Sequence, residues 1–268
     1  MFQGKNQKFA VLRRTARVWA ISSIHGEAER LAHVQTAILE NFHAGDRLVY
    51  LGNLMGRGPA VRETLDSVLA FRTALLSLPG VFVCDIALLR GRQEEMWQKL
   101  LQLQFAADPR AVLTWMLDQG LGSTLEAYGA DAEEGLRAAR SGAVNLTRWT
   151  GSLRQAMKSR AGHFEMMSSL RRAAFTDDGG LLFVNAGLDP SRPLEAQKDS
   201  FWWGSQGFAE MEAPYCGFRR VVRGFDQKHP GLAVSPHTAT LDGGAGFGGP
   251  LLAACVTADG ELSHLLEA

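Results

Sequence analysis

Apolar residues follow two alternating patterns along the chain. Short apolar runs that end at glycine, such as residues 48–51 before Gly52, are typical of strands buried on both faces. Between such runs, as in residues 27–42 and 61–75, apolar residues recur every three or four positions, which predicts amphipathic helices. Because a strand–helix–strand unit requires parallel pairing, this alternation predicts an α/β fold.

The same pattern divides the rest of the chain into elements. It predicts strands at residues 17–26, 46–52, 81–90, 180–187 and 219–225, followed by short strands of a mixed or antiparallel second sheet at 233–236, 238–241 and 251–257. From about residue 95 to residue 172, leucine, methionine and alanine recur at helical spacing, which predicts an insertion of several short helices. We interpret residues 1–268 as a single domain that includes this insertion.

Composition and charge exclude some classes of partner. The chain has 268 residues, of which 46% are apolar and 21% charged, and its formal net charge is zero. No overall field therefore favours nucleic acid or an anionic membrane. Residues 137–172, however, carry eight lysines and arginines against the single acid Glu165. This basic segment is either a solvated helix surface or a docking site for a protein partner.

The three cysteines and the first residues of the chain indicate a cellular compartment. Cys84, Cys216 and Cys255 stand in apolar contexts without a Cys-x-x-Cys pair, which is typical of reduced core cysteines in an intracellular protein. Residues 1–8 lack the apolar stretch of a signal peptide, and no apolar run approaches the ~20 residues needed to cross a bilayer. The sequence therefore predicts a cytoplasmic protein without a membrane span.

Five predicted strands end in loops that share a spacing. These loops are Ser23-Ile24-His25-Gly26, Gly52-Asn53 to Arg57-Gly58, Arg90-Gly91-Arg92-Gln93-Glu94, Val184-Asn185-Ala186-Gly187 and Val222-Arg223-Gly224-Phe225. Their order resembles the signature of the calcineurin-like metallophosphatases from about Val18 to the C-terminus. The second loop resembles the Gly-Asp-x-x-Asp-Arg-Gly motif of that family. The resemblance is closest to the phosphoprotein phosphatase and bacterial diadenosine tetraphosphatase branch.

The resemblance implies a fold and a metal site. The implied fold is a four-layer sandwich of two mixed β-sheets flanked by helices, and the implied site holds two divalent metals that clamp a phosphate. Six positions correspond to metal ligands, and His25 alone keeps the expected ligand; the six are Ser23, His25, Asn53, Arg92, Asn185 and Phe225. Gly56 and Gln93 replace the aspartate and the general-acid histidine that the family pairs.

These substitutions predict a pseudophosphatase that acts by binding, as an adaptor or regulator, with no metal or other cofactor. Arg92 would repel a divalent ion, and Gln93 has no proton to donate near neutral pH. Two alternatives stay open. One is an active serine/threonine protein phosphatase or nucleotide phosphohydrolase with a displaced or mononuclear metal. The other is a metal-free sensor that holds a phosphate-bearing ligand in the vacated cleft.

Four arginines are candidates for anion binding. Arg57 and Arg90 match positions that hold the phosphate or brace the loops in the family. Arg92 and Arg223 either occupy the vacated metal space or turn into solvent. The alternative is that these arginines pair with acids such as Glu27 or Glu94. Three further features have structural interpretations: His25 as a loop histidine bound to backbone, residues 201–203 as core aromatics, and residues 243–249 as a turn.

Overall fold

A computed structural model describes residues 8–205 and 207–268. The strands are β1 (Phe9–Leu12), β2 (Arg17–Ile21), β3 (Asp46–Tyr50), β4 (Ile86–Leu88), β5 (Ala173–Thr176), β6 (Leu181–Val184), β7 (Arg220–Arg223), β8 (Gly231–Val234), β9 (Thr238–Asp242), β10 (Leu252–Thr257) and β11 (Leu262–Glu267). The helices are α1 (Ala28–Asn41), α2 (Val61–Leu76), α3 (Arg92–Leu100), α4 (Pro109–Met116), α5 (Gly122–Ala127), α6 (Ala132–Arg140), α7 (Ala143–Lys158), α8 (His163–Ser169) and α9 (Ser200–Trp203).

The strands form two mixed sheets that pack face to face. One has the order β1-β5-β6-β7-β9-β8, and the other has the order β11-β10-β2-β3-β4. Strands β2, β3 and β4 run parallel in the second sheet, as β6, β7 and β9 do in the first. Alternate apolar side chains of both sheets, including Val49 and Phe183, form the buried core between them.

Helices and loops cover the outer face of each sheet. Helices α1 and α2 and the α3–α8 segment bury their apolar sides with Trp19, Tyr50 and neighbouring residues on the five-stranded sheet. On the other side, Phe201 and Trp202 of α9 pack on the six-stranded sheet with Leu182. The predicted sandwich of two mixed sheets flanked by helices is therefore confirmed.

The helical segment begins earlier than the sequence pattern suggests. Helix α3 starts at Arg92 instead of about residue 95, because the Glu94 carboxylate accepts the Gly91 N–H at 2.7 Å and caps the first turn. Helix α8 ends at Ser169, close to the predicted boundary at 172. The interpretation of residues 1–268 as one domain stays a prediction, and residues 1–7 lie outside the described residues.

Several predicted strands differ from the observed ones. The strand predicted at 81–90 is reduced to β4, since Phe82 and Val83 are exposed and a turn closes between the Phe82 N–H and the Asp85 carboxylate at 2.9 Å. Strands β1, β5 and β11 were not predicted, because each is short or carries too few buried positions for a clear pattern.

Two remaining expectations concern cysteines and the membrane. Cys255 is buried as expected, but Cys84 and Cys216 are exposed, so their interpretation as core residues is wrong. Cys84 lies in a short 3-10 helix and Cys216 in a turn, where neighbouring apolar residues do not enclose them. Across residues 8–205 and 207–268, no helix is both long enough and apolar enough to cross a bilayer. The prediction that residues 1–8 lack a signal peptide concerns mostly residues that lie outside the described ranges.

Candidate functional site

The loops that follow parallel strands of the two sheets meet at one edge of the sandwich. The Ser23 N–H donates to the Gly224 carbonyl at 3.0 Å, and the Ile24 N–H donates to the Asn53 carbonyl at 3.0 Å. The Gly224 N–H donates in turn to the Asn185 carbonyl at 2.9 Å. Backbone hydrogen bonds thus bring the loops after β2, β3, β6 and β7 together, as expected for carboxyl ends of parallel strands.

Asn53 lies at the centre of these loops and is fully buried. Its Nδ2 donates to Ser23 Oγ at 3.0 Å, and its Oδ1 accepts the Gln93 N–H at 3.1 Å. Its backbone adopts a φ of 51°, a left-handed conformation that asparagine tolerates better than most residues. Both ends of the amide are therefore engaged in joining the first, second and third loops.

Glu94 is a site residue that sequence analysis treats only as a partner for arginines. Its carboxylate is fully buried and accepts backbone N–H groups from four residues: Asn53 at 2.9 Å, Leu54 at 2.7 Å, Met55 at 3.2 Å and Gly91 at 2.7 Å. Burial raises the pKa of Glu94, and hydrogen bonds from the backbone of Gly91, Met55 and Asn53 offset part of that rise. The spacing from Gly91 to Glu94 at a helix start is a capping pattern that could have indicated this role.

Gly56 and Gln93, which replace the acid–histidine pair implied by the resemblance, are in direct contact. A Cβ added to Gly56 would lie 2.4 Å from Gln93 Cδ, and Gly56 has a φ of 91°. Gln93 Nε2 donates to the Gln119 carbonyl at 2.9 Å. Gln93 Oε1 is buried without a hydrogen-bond partner among the described residues. The two positions meet, but the side chains there carry no titratable proton.

His25 is enclosed by aromatic rings. Its side chain is 2% exposed, with the ring edge-on to Phe225 at 5.9 Å and to Phe247 at 5.4 Å between centroids. Gly246 packs so closely that a Cβ there would lie 2.5 Å from His25 Cβ. Residues 243–249 thus form a turn, as predicted, but this turn also covers His25, which sequence analysis missed.

The environment keeps the His25 ring neutral. Burial, followed by the positive charges of Arg57 and Arg92, lowers the pKa of His25 to about 3. Within the described chain, neither ring nitrogen has a hydrogen-bond partner of normal geometry. A contact with the Met55 backbone offsets a small part of this lowering, and the interpretation of His25 as a loop histidine bound to backbone stays a prediction.

Arg57 and Arg92 lie on the aromatic rings around His25. The Arg92 guanidinium stacks 5.0 Å from the Trp203 ring centroid and 4.9 Å from that of Phe225, and Arg92 is 8% exposed. The Arg57 guanidinium stacks 4.1 Å from the Phe247 centroid. In the part of the chain that the structure describes, neither arginine forms an ion pair with a carboxylate.

The other two candidate arginines are held by acids. Arg90 Nη1 lies 3.1 Å from Glu95 Oε2. Arg223 pairs with Asp226 and donates from Nε to Thr240 Oγ1 at 2.8 Å. Burial lowers the pKa of both Arg92 and Arg223, but a guanidinium stays cationic at neutral pH. Arg57 and Arg92 therefore differ from Arg90 and Arg223 in lacking an acidic partner.

Several buried polar atoms in this cleft have no hydrogen-bond partner among the described residues. Asn185 is fully buried, and although its Nδ2 donates to the Leu51 carbonyl at 2.6 Å, its Oδ1 has no partner. In the same cleft, both ring nitrogens of His25, Gln93 Oε1, Arg57 Nε and Arg92 Nε are also buried without partners, and further such atoms, among them Trp149 Nε1 and Arg220 Nε, lie elsewhere in the described chain. Such atoms in folded proteins are normally satisfied by water or a ligand.

Carboxylates, in contrast, are scarce around the cleft. Across the described ranges, no group of three or more histidine, cysteine, aspartate or glutamate side chains lies close enough to hold a metal ion. The nearby Glu94 carboxylate points to backbone N–H groups, as described above. The groups around His25 are thus amides, guanidiniums, aromatic rings and the imidazole of His229, whose Nδ1 lies 2.9 Å from the Asp242 carboxylate.

Comparison with solved structures identifies the fold. No protein-family model and no curated protein sequence matches the chain. A candidate diadenosine tetraphosphatase is 18% identical, with 97% of this chain and 98% of that chain covered and a TM-score of 0.58. A cold-active protein-tyrosine phosphatase of a psychrophilic Shewanella is 15% identical, with 97% and 84% covered and a TM-score of 0.51. The chain therefore has the metallophosphatase fold.

Proposed function

We propose that this chain is a catalytically inactive metallophosphatase-like protein that acts by binding. The observation that carries the proposal is the position of Arg92, whose guanidinium is buried between Trp203 and Phe225 close to His25. A guanidinium stays protonated in proteins and repels a cation placed beside it. Arg92 thus supplies positive charge at a position where the resemblance implies a metal ligand.

The remaining donors do not fit two divalent ions. Two such ions would bring about four positive charges into a partly desolvated cleft, which requires carboxylate and imidazole ligands. The Asn53 amide is engaged at both ends, and the Glu94 carboxylate is occupied by four N–H groups. Phe225 offers no donor atom. This donor set supports a site without the metals of the family.

Acid chemistry is also missing from the cleft. Gln93, at the general-acid position, carries no proton with a useful pKa, and its neighbour Gly56 has no side chain. His25, with a pKa of about 3, is neutral at physiological pH and cannot act as a general acid there. Both observations support a binding role in place of hydrolysis.

Metal content and activity measured on one sample test this proposal. We expect the purified protein to contain no stoichiometric manganese, iron or zinc by elemental analysis, because Arg92 opposes their binding. We also expect no hydrolysis of an aryl phosphate with Mn²⁺ present. Close to one metal ion per chain together with metal-dependent turnover would overturn the proposal and favour the active phosphatase with an atypical metal site.

A single restored carboxylate is expected to leave the protein inactive. Asn53→Asp adds one ligand, but one carboxylate cannot hold two ions against Arg92, and no general acid is present. Phosphatase activity of the variant, assayed with Mn²⁺ beside the parent, should stay at background. Strong activity would mean that a nearly complete metal site already exists in the chain.

The comparison for this single change is a variant in which all the altered site positions are restored to the residues that the family resemblance implies. It consists of Ser23→Asp, Asn53→Asp, Gly56→Asp, Arg92→Asn, Gln93→His, Asn185→His and Phe225→His. Gly56→Asp needs the change at Gln93, since the Gln93 side chain fills the space beside Gly56, and the φ of 91° at Gly56 adds backbone strain. Circular dichroism of the combined variant must show a folded chain before its metal content is interpreted.

The basic segment supports a protein partner as part of this proposal. In residues 137–172, five cationic side chains are exposed: Arg137, Arg140, Arg148, Lys158 and Arg160. They lie on or just after α6 and α7, away from the ion pairs that hold Arg90 and Arg223. An exposed cluster of one sign suits a partner with an acidic surface.

A further inference from the structure

We propose that Arg57 and Arg92 form a metal-free binding site for a phosphoryl-type dianion. The inference rests on the proposed function, because it requires that no metal ions fill the cleft. In this arrangement the two guanidiniums take the place of metal charge, and the ligand is bound without being hydrolysed. The chemistry recognised is a tetrahedral group with two negative charges, carried by free phosphate or by a phosphate ester.

The first argument is uncompensated charge. Three other partly buried arginines have acidic partners: Arg17 lies 2.6 Å from Asp46, Arg47 lies 3.1 Å from Asp85, and Arg90 lies 3.1 Å from Glu95. Arg220, at the start of β7, is buried without an ion pair among the described residues, but it is a single charge. Arg57 and Arg92 have no such partner among the described residues, although Arg92 is 8% exposed. A buried charge without a counter-charge is unfavourable, and an anion in the cleft would remove that penalty.

The second argument is proximity. Arg57 stacks on Phe247 and Arg92 stacks on Phe225, and these two rings lie 6.3 Å apart between centroids. The guanidiniums are therefore carried on neighbouring rings beside His25. Two positive charges this close to one another favour one ligand of charge minus two, since a dianion compensates both at once.

The third argument is the set of polar atoms without partners. Arg57 Nε, Arg92 Nε and the protonated nitrogen of the His25 ring are donors, which suit the oxygens of a phosphoryl group. Gln93 Oε1 and Asn185 Oδ1 are acceptors and suit water or a protonated phosphate oxygen. Loops of both sheets thus leave donors and acceptors without partners in the cleft.

The cleft also reaches solvent. Phe247 is 41% exposed, and Trp115, whose ring lies 5.3 Å from that of Trp203, is 43% exposed. These rings stand beside the two guanidiniums, so a group attached to the phosphate would contact aromatic surface. A phosphate ester of an aromatic alcohol can therefore use both kinds of contact, whereas free phosphate uses the arginines alone.

Isothermal titration calorimetry with EDTA present tests the site without metals. The probes are inorganic phosphate, phenyl phosphate and, as the source of a different tetrahedral dianion, sulfate. We expect phosphate to bind in the micromolar to millimolar range, and Arg92→Ala and Arg57→Ala each to weaken binding by about tenfold or more. Arg110→Ala, a change at an exposed arginine of α4, should leave the affinity unchanged.

Further variants keep the result interpretable. Arg92→Lys retains the charge but loses the bidentate fork, so its affinity should lie between those of the parent and Arg92→Ala. Thermal melts of every variant identify any that fails to fold, and in that case Arg57→Lys and Arg92→Lys decide the question. Tighter binding of phenyl phosphate than of phosphate would assign the ligand as an ester, and equal binding would assign it as free phosphate.

Two results would overturn the inference. One is the absence of phosphate, phenyl phosphate and sulfate binding to the folded parent in EDTA. The other is binding that neither arginine variant weakens, which would place the anion elsewhere. Turnover of phenyl phosphate on adding Mn²⁺ would instead overturn the proposed function. The two failures are therefore distinguished by the presence of metal and by the product formed.

Discussion

Glu94→Ala is expected to lower the free energy of unfolding by about 4 kcal/mol or more, since each buried donor left without a partner costs about 1–3 kcal/mol. The variant removes the acceptor of four backbone N–H groups, those of Asn53, Leu54, Met55 and Gly91. These groups hold the second loop against the start of α3. Losing them affects both the loop and the helix cap.

Urea unfolding followed by circular dichroism measures this effect. Glu94→Gln keeps an accepting oxygen and should lose less stability than Glu94→Ala, and Glu126→Ala, a change at an exposed glutamate in α5, should be close to neutral. A loss below about 1 kcal/mol for Glu94→Ala would show that water replaces the carboxylate in the folded protein.

Acid is expected to destabilise the protein through His25. The folded state holds the ring neutral, with a pKa of about 3, whereas in the unfolded chain the ring is protonated below its ordinary pKa of about 6.5. The unfolded state therefore binds more protons between these values, so stability falls as the pH is lowered from about 6.5 toward 3. At pH 4 the loss amounts to roughly 3 kcal/mol.

Comparison with His25→Asn isolates this contribution. Asparagine tolerates the left-handed backbone at this position, where φ is 54°, and has no titrating ring. Between pH 7 and pH 4, the unfolding free energy of the parent should fall by roughly 3 kcal/mol more than that of the variant. Parallel pH profiles would mean that His25 keeps an ordinary pKa in the folded protein. Saturating phosphate should reduce the acid effect if the anion occupies the cleft.

Much of the sandwich could be predicted from the chain because strand burial leaves a local pattern. Strands β2, β3, β6 and β7 lie within predicted segments, since burial on both faces requires continuous apolar runs. Strand β11 was not predicted, because most of its positions are exposed and it forms an edge of its sheet. The formation of an edge strand depends more on pairing with a neighbouring strand than on the residues of the edge strand itself.

The residues around His25 were predictable to different degrees. The family resemblance implied that Gly56 and Gln93 meet, and spacing was enough to expect the side chains at the strand ends to lie together. It was not enough to show that Phe247 covers His25, because more than 200 residues separate them in the chain. Contacts between loops of different sheets have no local signal in the sequence.

By itself, the sequence determined the α/β class and the chemical identity of each side chain at the strand ends, because both follow from local pattern and residue type. The tertiary structure alone decided how charges are partnered. Glu94 reaches the backbone of Asn53 across 41 positions, Arg223 is taken by Asp226, and Arg57 and Arg92 are left on aromatic rings without an acid. Pairing depends on distance and burial after folding, which no local pattern encodes.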